Sequence, residues 1–301
     1  MKAIQFSQYG GPEVLEVVEV TEPHAGPGQV RIRVEASGVN GMDWKIRQGF
    51  LKEMIPLEFP AGSGLDAAGT VDEVGEGVTG VDVGDEVFGQ GSSTLAEFAV
   101  LQHWAKSPAL LTPEEAAGYP IPVETAIRIL GQVDLRRGQR ILVSGAAGGV
   151  GSALVQIAKD RGFEVIGTAS AANQDYLVEL GAIPTTYGDG LVERVRALSP
   201  EGVDAAFDIS GSGVIPELIE LTGDASKVVS IADFSAPEQG AQVSSDAGDM
   251  TAALEEAARL YAAGHFTIPV ERAFHLEQAG EAQAASAGGH VRGRLVVVPV
   301  G

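Results

Sequence analysis

Over 30–35 apolar and polar residues alternate: Val30, Ile32 and Val34 interleave with Arg31, Arg33 and Glu35, the period-two signature of a half-buried strand. Segments 14–20, 70–74 and 86–88 share this short, β-branched character. Turn residues punctuate them at Gly10-Gly11-Pro12, Pro23, Gly26-Pro27-Gly28, Gly75, Gly77, Gly80 and Gly84. The first stretch, up to about residue 110, therefore reads as strands and turns without helices, a β-barrel-like domain.

The pattern changes at Thr112-Pro113-Glu114-Glu115, where Thr112 can cap a helix, with Pro113 at its first position and Glu115 three residues after the cap. Beyond it, helical spacing over 123–133, 150–161, 173–180 and 214–221 is interleaved with apolar strand-like runs at 141–143, 165–168, 203–209 and 228–231. Such alternation predicts a parallel α/β sheet. A helix over 250–263 follows, then strand character at 266–270 and 294–300. No internal repeat or low-complexity tract interrupts the chain. The layout is a β-domain over 1–113 and 265–301, with an α/β domain over 114–264 inserted in it.

Composition narrows the chemistry. The 301 residues contain no cysteine, which removes disulfides, thiolate metal sites and cysteine nucleophiles together. A formal charge of −21 repels nucleic-acid backbones and anionic lipid, so neither is an expected partner. The apolar runs are short for a membrane span, and Met1–Ser7 lacks the pattern of a leader, so a soluble cytoplasmic protein is the expectation.

The strongest chemical signal is Arg140-Ile-Leu-Val-Ser-Gly145-Ala-Ala-Gly148-Gly149-Val150-Gly151. An apolar run enters a glycine-rich turn that opens a helix, the context a dinucleotide fingerprint requires. Ala146 takes the first glycine place, Gly148 the second and Gly151 the third. The backbone of Ala147, Gly148, Gly149 and Val150 would then meet a pyrophosphate at the helix N-terminus. An NAD site carries an acid at the end of the next strand. Here Ala169 stands at that place and Ser170 follows, which removes repulsion against a 2′-phosphate and favours NADPH. No Arg or Lys is adjacent to pair with that phosphate, and Ser170 has a competing use as a helix cap.

Further landmarks are Asn40-Gly-Met-Asp43-Trp-Lys45-Ile-Arg47-Gln-Gly49, Gly64-Leu65-Asp66-Ala-Ala-Gly69, Gly84-Asp85 and Gly289-His290-Val-Arg292-Gly293-Arg294. With the glycine turn they make the whole chain resemble the medium-chain dehydrogenase/reductase superfamily. Within it the resemblance is to the zinc-independent NADPH:quinone oxidoreductase (zeta-crystallin-like) family. It implies an α/β plus β fold: a GroES-like β-barrel domain with an inserted Rossmann doubly wound sheet, the active site in the cleft between them. It also implies a homodimer joined at the Rossmann sheet edge, for which 228–231 is the candidate strand.

The zinc branch carries Cys near the position of Asn40 and Gly-His-Glu where this chain has Gly64-Leu65-Asp66. Leucine cannot bind zinc, and the five histidines are scattered without ligand spacing, so no metal is expected. By resemblance Asn40 stands near the nicotinamide, either orienting it or bonding the acceptor carbonyl, with a plain turn residue as the competing reading. Thr125 matches a family threonine near the nicotinamide, although Glu124 replaces the usual Leu. Tyr187 matches a tyrosine near the adenosine. Ser210 and Ile231 end later strands at the ligand edge, and Arg292 is similar to a cofactor-facing position.

Without a Lewis acid, alcohol oxidation is disfavoured and reduction of an electron-poor small molecule, a quinone or an α,β-unsaturated carbonyl, is the leading expectation. An enoyl-thioester reductase and a non-catalytic NADPH-binding protein are the alternatives. The missing proton points to Lys45 as candidate acid, with Asp43 as the adjacent carboxylate if the segment is extended, or a surface lysine if it is helical.

Overall fold

The computed structural model describes residues 1–244 and 248–299, so the predicted end of the last strand at Val300 lies outside the described residues. The chain divides into two compact units, Met1–Ile121 with Asp249–Gly301, and Pro122–Gly248.

The first unit opens with β1 (Lys2–Phe6), β2 (Glu16–Glu19), β3 (Val30–Val39), α1 (Gly41–Arg47), β4 (Ala61–Gly62), β5 (Asp66–Val74), β6 (Glu86–Gly91), β7 (Phe98–Lys106) and α2 (Pro113–Ala116). β3 pairs antiparallel with both β5 and β7, and β6 joins those two, so the sheet closes into a barrel. Its interior is the alternation seen in the sequence: Val30, Ile32 and Val34 are buried with Val71, Val87 and Leu101. α1 corrects the helix-free reading of this stretch. Asn40 precedes it, and the Asn40 N–H donates to Asp43 Oδ2 at 2.7 Å, closing a capping box that the short period-two segments around it obscure. The predicted cap at Thr112 forms, with Glu115 N donating to Thr112 Oγ1 at 3.3 Å.

The second unit contains most of α3 (Pro120–Leu130), then β8 (Arg140–Ser144), α4 (Gly149–Asp160), β9 (Glu164–Ala169), α5 (Gln174–Glu179), β10 (Ile183–Thr186), α6 (Leu191–Leu198), β11 (Ala205–Asp208), α7 (Ile215–Thr222), β12 (Val228–Ser230) and β13 (Gln242–Val243). The strands form one parallel sheet in the order β10-β9-β8-β11-β12-β13, a Rossmann-like doubly wound arrangement. Leu142, Ile166, Ala206 and Val228 from its strands pack with Val195 and Leu218 from α6 and α7. Two corrections arise here. β10 contains Pro184, which hides a strand in the sequence but is tolerated because β10 is an edge. The segment 228–231 is not an edge, because β13 pairs outside it.

The chain then returns to the first unit through α8 (Met250–Ala262), β14 (Val270–His275), α9 (Ala279–Ala287) and β15 (Arg294–Val298). β15 pairs with β3 and β14, extending the barrel sheet. The strand expected over 266–270 begins only at Val270, after Pro269, and the preceding Phe266 and Ile268 are buried without strand pairing. α8 packs on β7, where His103 Nδ1 lies 3.0 Å from Thr251 Oγ1. That packing puts the unit boundary before α8, where the sequence layout puts it after. No helix among the described residues is long and apolar enough to cross a membrane.

Candidate active site

In the second unit β8 ends at Ser144, and the chain turns through Gly145, held at φ +82°. Gly145 N donates to Thr168 Oγ1 and Ala146 N to Thr168 O, at 3.1 and 2.9 Å, which fixes the turn against β9. Gly148 is the N-cap of α4 and no side chain caps the first turn. The leading N–H groups of α4 are therefore left for a ligand, and the helix end favours an anion. A Cβ at Gly148 would meet only Gly145 O, at 3.9 Å, so the cradle is open. A Cβ at Gly151 would fall 2.2 Å from Gly145 O, so α4 sits as close to the turn as a glycine permits. Ala147, Gly148, Gly149 and Val150 thus form a backbone cradle that fits a pyrophosphate.

The order of the sheet reverses between β8 and β11, the crevice where ligands of such sheets bind. Ser144 Oγ and Ser210 Oγ lie 3.1 Å apart across it, and Ser210 Oγ lies 2.9 Å from Ser212 Oγ. Asp208 organises this edge. It is fully buried, and its carboxylate accepts from Ser210 N, Ser210 Oγ, Gly211 N and Ser230 Oγ. Ile231 N donates to Asp208 O at 3.1 Å, which carries the pairing of β11 and β12 one residue past Ser230. Sequence reading missed Asp208, although an acid closing a short apolar strand before Ser-Gly-Ser is a legible signal for a loop-holding residue.

On the other side of β8, Ser170 follows β9 in an extended conformation and makes no capping hydrogen bond. Gln174 Nε2 donates to the carbonyls of Ala169, Ser170 and Thr185, tying the ends of β9 and β10 together. Thr186 pairs with Ala169, so Tyr187, 53% exposed, emerges beside Ser170. A cation, Arg194 of α6, holds the loop that follows β10. The Arg194 guanidinium donates to the carbonyls of Thr186, Tyr187, Gly188 and Asp189. Thr125 is buried on α3. It donates to Glu124 Oε2 at 3.4 Å, and Glu124 in turn accepts from Arg128 Nε and Gly248 N. The acid that replaces the family's Leu is therefore a hub rather than a loose charge.

In the first unit Asn40, Asp43, Asp66 and Arg294 are all buried together. Arg294 Nη2 donates to Asn40 Oδ1 at 2.9 Å, and Asn40 Nδ2 donates to Asp66 Oδ2 at 2.9 Å. Asp66 Oδ2 also accepts from Ile121 N at 3.2 Å and lies 3.6 Å from Arg294 Nη2. Burial pushes the Asp43 carboxyl up to about 7. The nearby Asp66 adds to the shift, and the Asn40 N–H and Arg294 oppose it. Burial likewise raises Asp66 to about 6 against the pull of Arg294 and the Asn40 amide. Because α1 is helical, Lys45 does not face Asp43. Lys45 is half-buried, which lowers its pKa, and its Nζ lies 5.5 Å from the Trp44 ring centroid. Arg292 is exposed on the turn before β15, while Arg294, two residues on, points inward. Among the described residues no group of three or more His, Cys, Asp or Glu has the geometry to hold a metal ion.

The family described as Alcohol dehydrogenase GroES-like domain matches residues 26–106, and the family described as Zinc-binding dehydrogenase matches 149–255. A quinone oxidoreductase of Rattus norvegicus is 39% identical over 239 residues, 76% of this chain and 72% of that protein. An NADPH-dependent alkenal/one oxidoreductase of Arabidopsis thaliana is 30% identical over 319 residues, 100% of this chain and 80% of that protein. The solved structure of Escherichia coli quinone oxidoreductase complexed with NADPH superposes with a TM-score of 0.87 at 25% identity, covering 99% of this chain and 100% of that one.

Proposed function

This chain belongs to the zinc-independent quinone oxidoreductase family of the medium-chain dehydrogenase/reductase superfamily, and from that membership we propose that it is an NADPH-dependent reductase of quinones or α,β-unsaturated carbonyls. The observation that carries this reading is the open, uncapped cradle at Gly148 beside the reversal of the sheet order. NADPH, when bound, supplies a hydride; the protein supplies binding, orientation and charge. Residues 147–150 take the pyrophosphate. Ser210 and Ile231 line the crevice that receives the nicotinamide half, and Thr125 is assigned to the same half. Ser170 and Tyr187 take the adenosine end, in a loop that Arg194 holds by its carbonyls. The absence of an acid at Ala169 and Ser170 leaves that end free of repulsion against a 2′-phosphate.

The first unit contributes what remains: a donor to the acceptor oxygen from Asn40 and a proton from Lys45, whose burial eases its release. Exposed Met42, Phe50 and Met54, on α1 and just after it, offer apolar surface suited to an uncharged acceptor. Leu65 and the absence of cysteine argue that no zinc takes part. We also propose a cytoplasmic homodimer. With β12 covered, β10 and β13 are the candidate edges, and a monomeric mass by light scattering at micromolar concentration refutes the pairing.

The test of function is steady-state oxidation of NADPH by chelator-treated protein against quinones, enones and enoyl thioesters. Turnover with quinones or enones supports the reading. Turnover confined to enoyl thioesters replaces it with a thioester reductase, and binding without any turnover replaces it with a non-catalytic protein.

A further inference from the structure

Asparagine's amide has two chemically opposite ends of nearly equal shape, and in water it rotates between them. In this protein both ends are assigned. A guanidinium carries no acceptor, so only the amide oxygen can meet Arg294 Nη2, at 2.9 Å. Asp66 Oδ2, which also accepts from Ile121 N, can receive only the amide nitrogen, at 2.9 Å. A flipped amide would set its NH2 against the guanidinium and its carbonyl against the carboxyl oxygen, inside a cluster whose four members are buried. One Nδ2 hydrogen is used by Asp66, and the other has no acceptor among the hydrogen bonds of the described residues.

Residues from four separate places in the sequence, Asn40, Asp66, Ile121 and Arg294, converge on this one carboxamide and the carboxyl oxygen that holds it. The backbone is held as well, through the Asn40 N–H donated to Asp43 Oδ2. Such a device is costly for a turn residue alone, because each charged group has been taken out of water. It makes sense where a donor must stand ready before charge develops.

We propose that Arg294 and Asp66 are positioning residues that together lock the Asn40 carboxamide in one orientation, with Arg294 polarising it, so that its second Nδ2–H is the donor to the oxyanion developing on the acceptor. This rests on the reductase reading and names the device that makes Asn40 effective. The guanidinium draws electron density from the carbonyl, which strengthens the opposite N–H as a donor. Neither Arg294 nor Asp66 need touch the acceptor.

A double-mutant cycle tests it in the full-length protein with NADPH and an enone. Asn40→Ala is expected to lower kcat about 10²-fold, the scale of losing one oxyanion donor. Arg294→Met should lower kcat about tenfold or more in the wild-type background but leave it unchanged in the Asn40→Ala background, because Arg294 acts only through Asn40. Arg294→Lys should recover part of the loss, and NADPH Kd by fluorescence should stay within about twofold throughout. A loss from Arg294→Met that repeats in the Asn40→Ala background overturns the positioning role while leaving the reductase reading intact. Turnover unchanged by Asn40→Ala overturns the donor role itself. A readout independent of turnover is solvent exchange of the Asn40 side-chain amide protons by NMR, identified by their loss in Asn40→Ala. The two protons should exchange at rates at least about tenfold apart in the wild type and at similar rates in Asp66→Ala, which removes the acceptor that holds one of them. Equal rates in the wild type would contradict the lock.

Discussion

The two units build their functional regions from opposite materials. In the second unit the cradle is backbone: an uncapped helix end, a turn held at Gly145, and a glycine at 151 that lets α4 approach. In the first unit the cluster is side chain: Asn40, Asp43, Asp66 and Arg294, brought together by α1, β5 and β15. Backbone sites recognise what is common to a class of ligands, here a dinucleotide phosphate. Side-chain clusters are where charge and proton affinity are set. Binding and chemistry should therefore separate when each unit is damaged in turn.

The largest effect is expected at Gly151. Valine there places Cβ 2.2 Å from Gly145 O and 2.7 Å from Ala146 Cα, both backbone atoms that cannot swing aside. Overpacking of this kind costs about 1–3 kcal/mol, and at its upper end it lowers NADPH affinity by about 10²-fold or more. Fluorescence titration measures it, with Tm as the control for folding. Near-normal affinity would show that the cradle is not where the cofactor is held.

Lys45→Met is the complementary break. It keeps an apolar stem of similar length and removes the charge that stands over the Trp44 ring. A kcat lowered about 10²-fold with unchanged NADPH Kd is expected, the low end for losing a general acid. An unchanged kcat would make Lys45 a packing residue and return the proton to solvent.

A smaller effect sharpens the adenosine end. Ala169 is buried and a carboxylate there would be costly, whereas Ser170 is half-buried with its hydroxyl free of capping duty. Ser170→Asp should cut the preference for NADPH over NADH by about tenfold, which is about 1.4 kcal/mol. An unchanged ratio of Kd values would place the 2′-phosphate elsewhere.

The last effect is on stability and leaves binding and turnover aside. Asp43 titrates at about 7 in the folded protein against an ordinary value of 3.8. The folded state thus binds more protons than the unfolded one across that interval, and stability falls as pH rises from about 4 to about 7. Asp43→Asn keeps an acceptor for the Asn40 N–H and removes the titration. Its Tm relative to wild type should rise with pH over that window. A Tm difference independent of pH would mean that Asp43 is not held protonated.

The same contrast decides how much could be read from sequence. The cradle is local: strand, turn and helix lie within Arg140–Asp160, and the glycines announce the geometry. The barrel strand at Val30 to Val34 is local too, since its alternation is its burial pattern. The cluster of the first unit is not local. Asn40 and Asp43 were visible as candidates, but their partners Asp66 and Arg294 are brought in by the pairing of β3 with β5 and β15. α1 was hidden because a seven-residue helix carries too few apolar repeats to outweigh the strands around it, and only the Asn40–Asp43 spacing signals it. Arg194 differs from Arg294, since its partners lie only five to eight residues back along the chain, and it bonds their carbonyls by wrapping over the turn between β10 and α6. Backbone sites are written in short motifs; side-chain clusters are written in the topology.

The central claim is hydride transfer from NADPH to an electron-poor acceptor, completed by a proton that the cofactor does not supply. Reduction of an α,β-unsaturated ketone by the chelator-treated protein, with NADPH carrying deuterium at the transferable position, tests it directly. One deuterium at the β-carbon, with the α-hydrogen drawn from solvent, is the predicted product. Absence of deuterium from the product, or turnover that requires added zinc, would contradict the account.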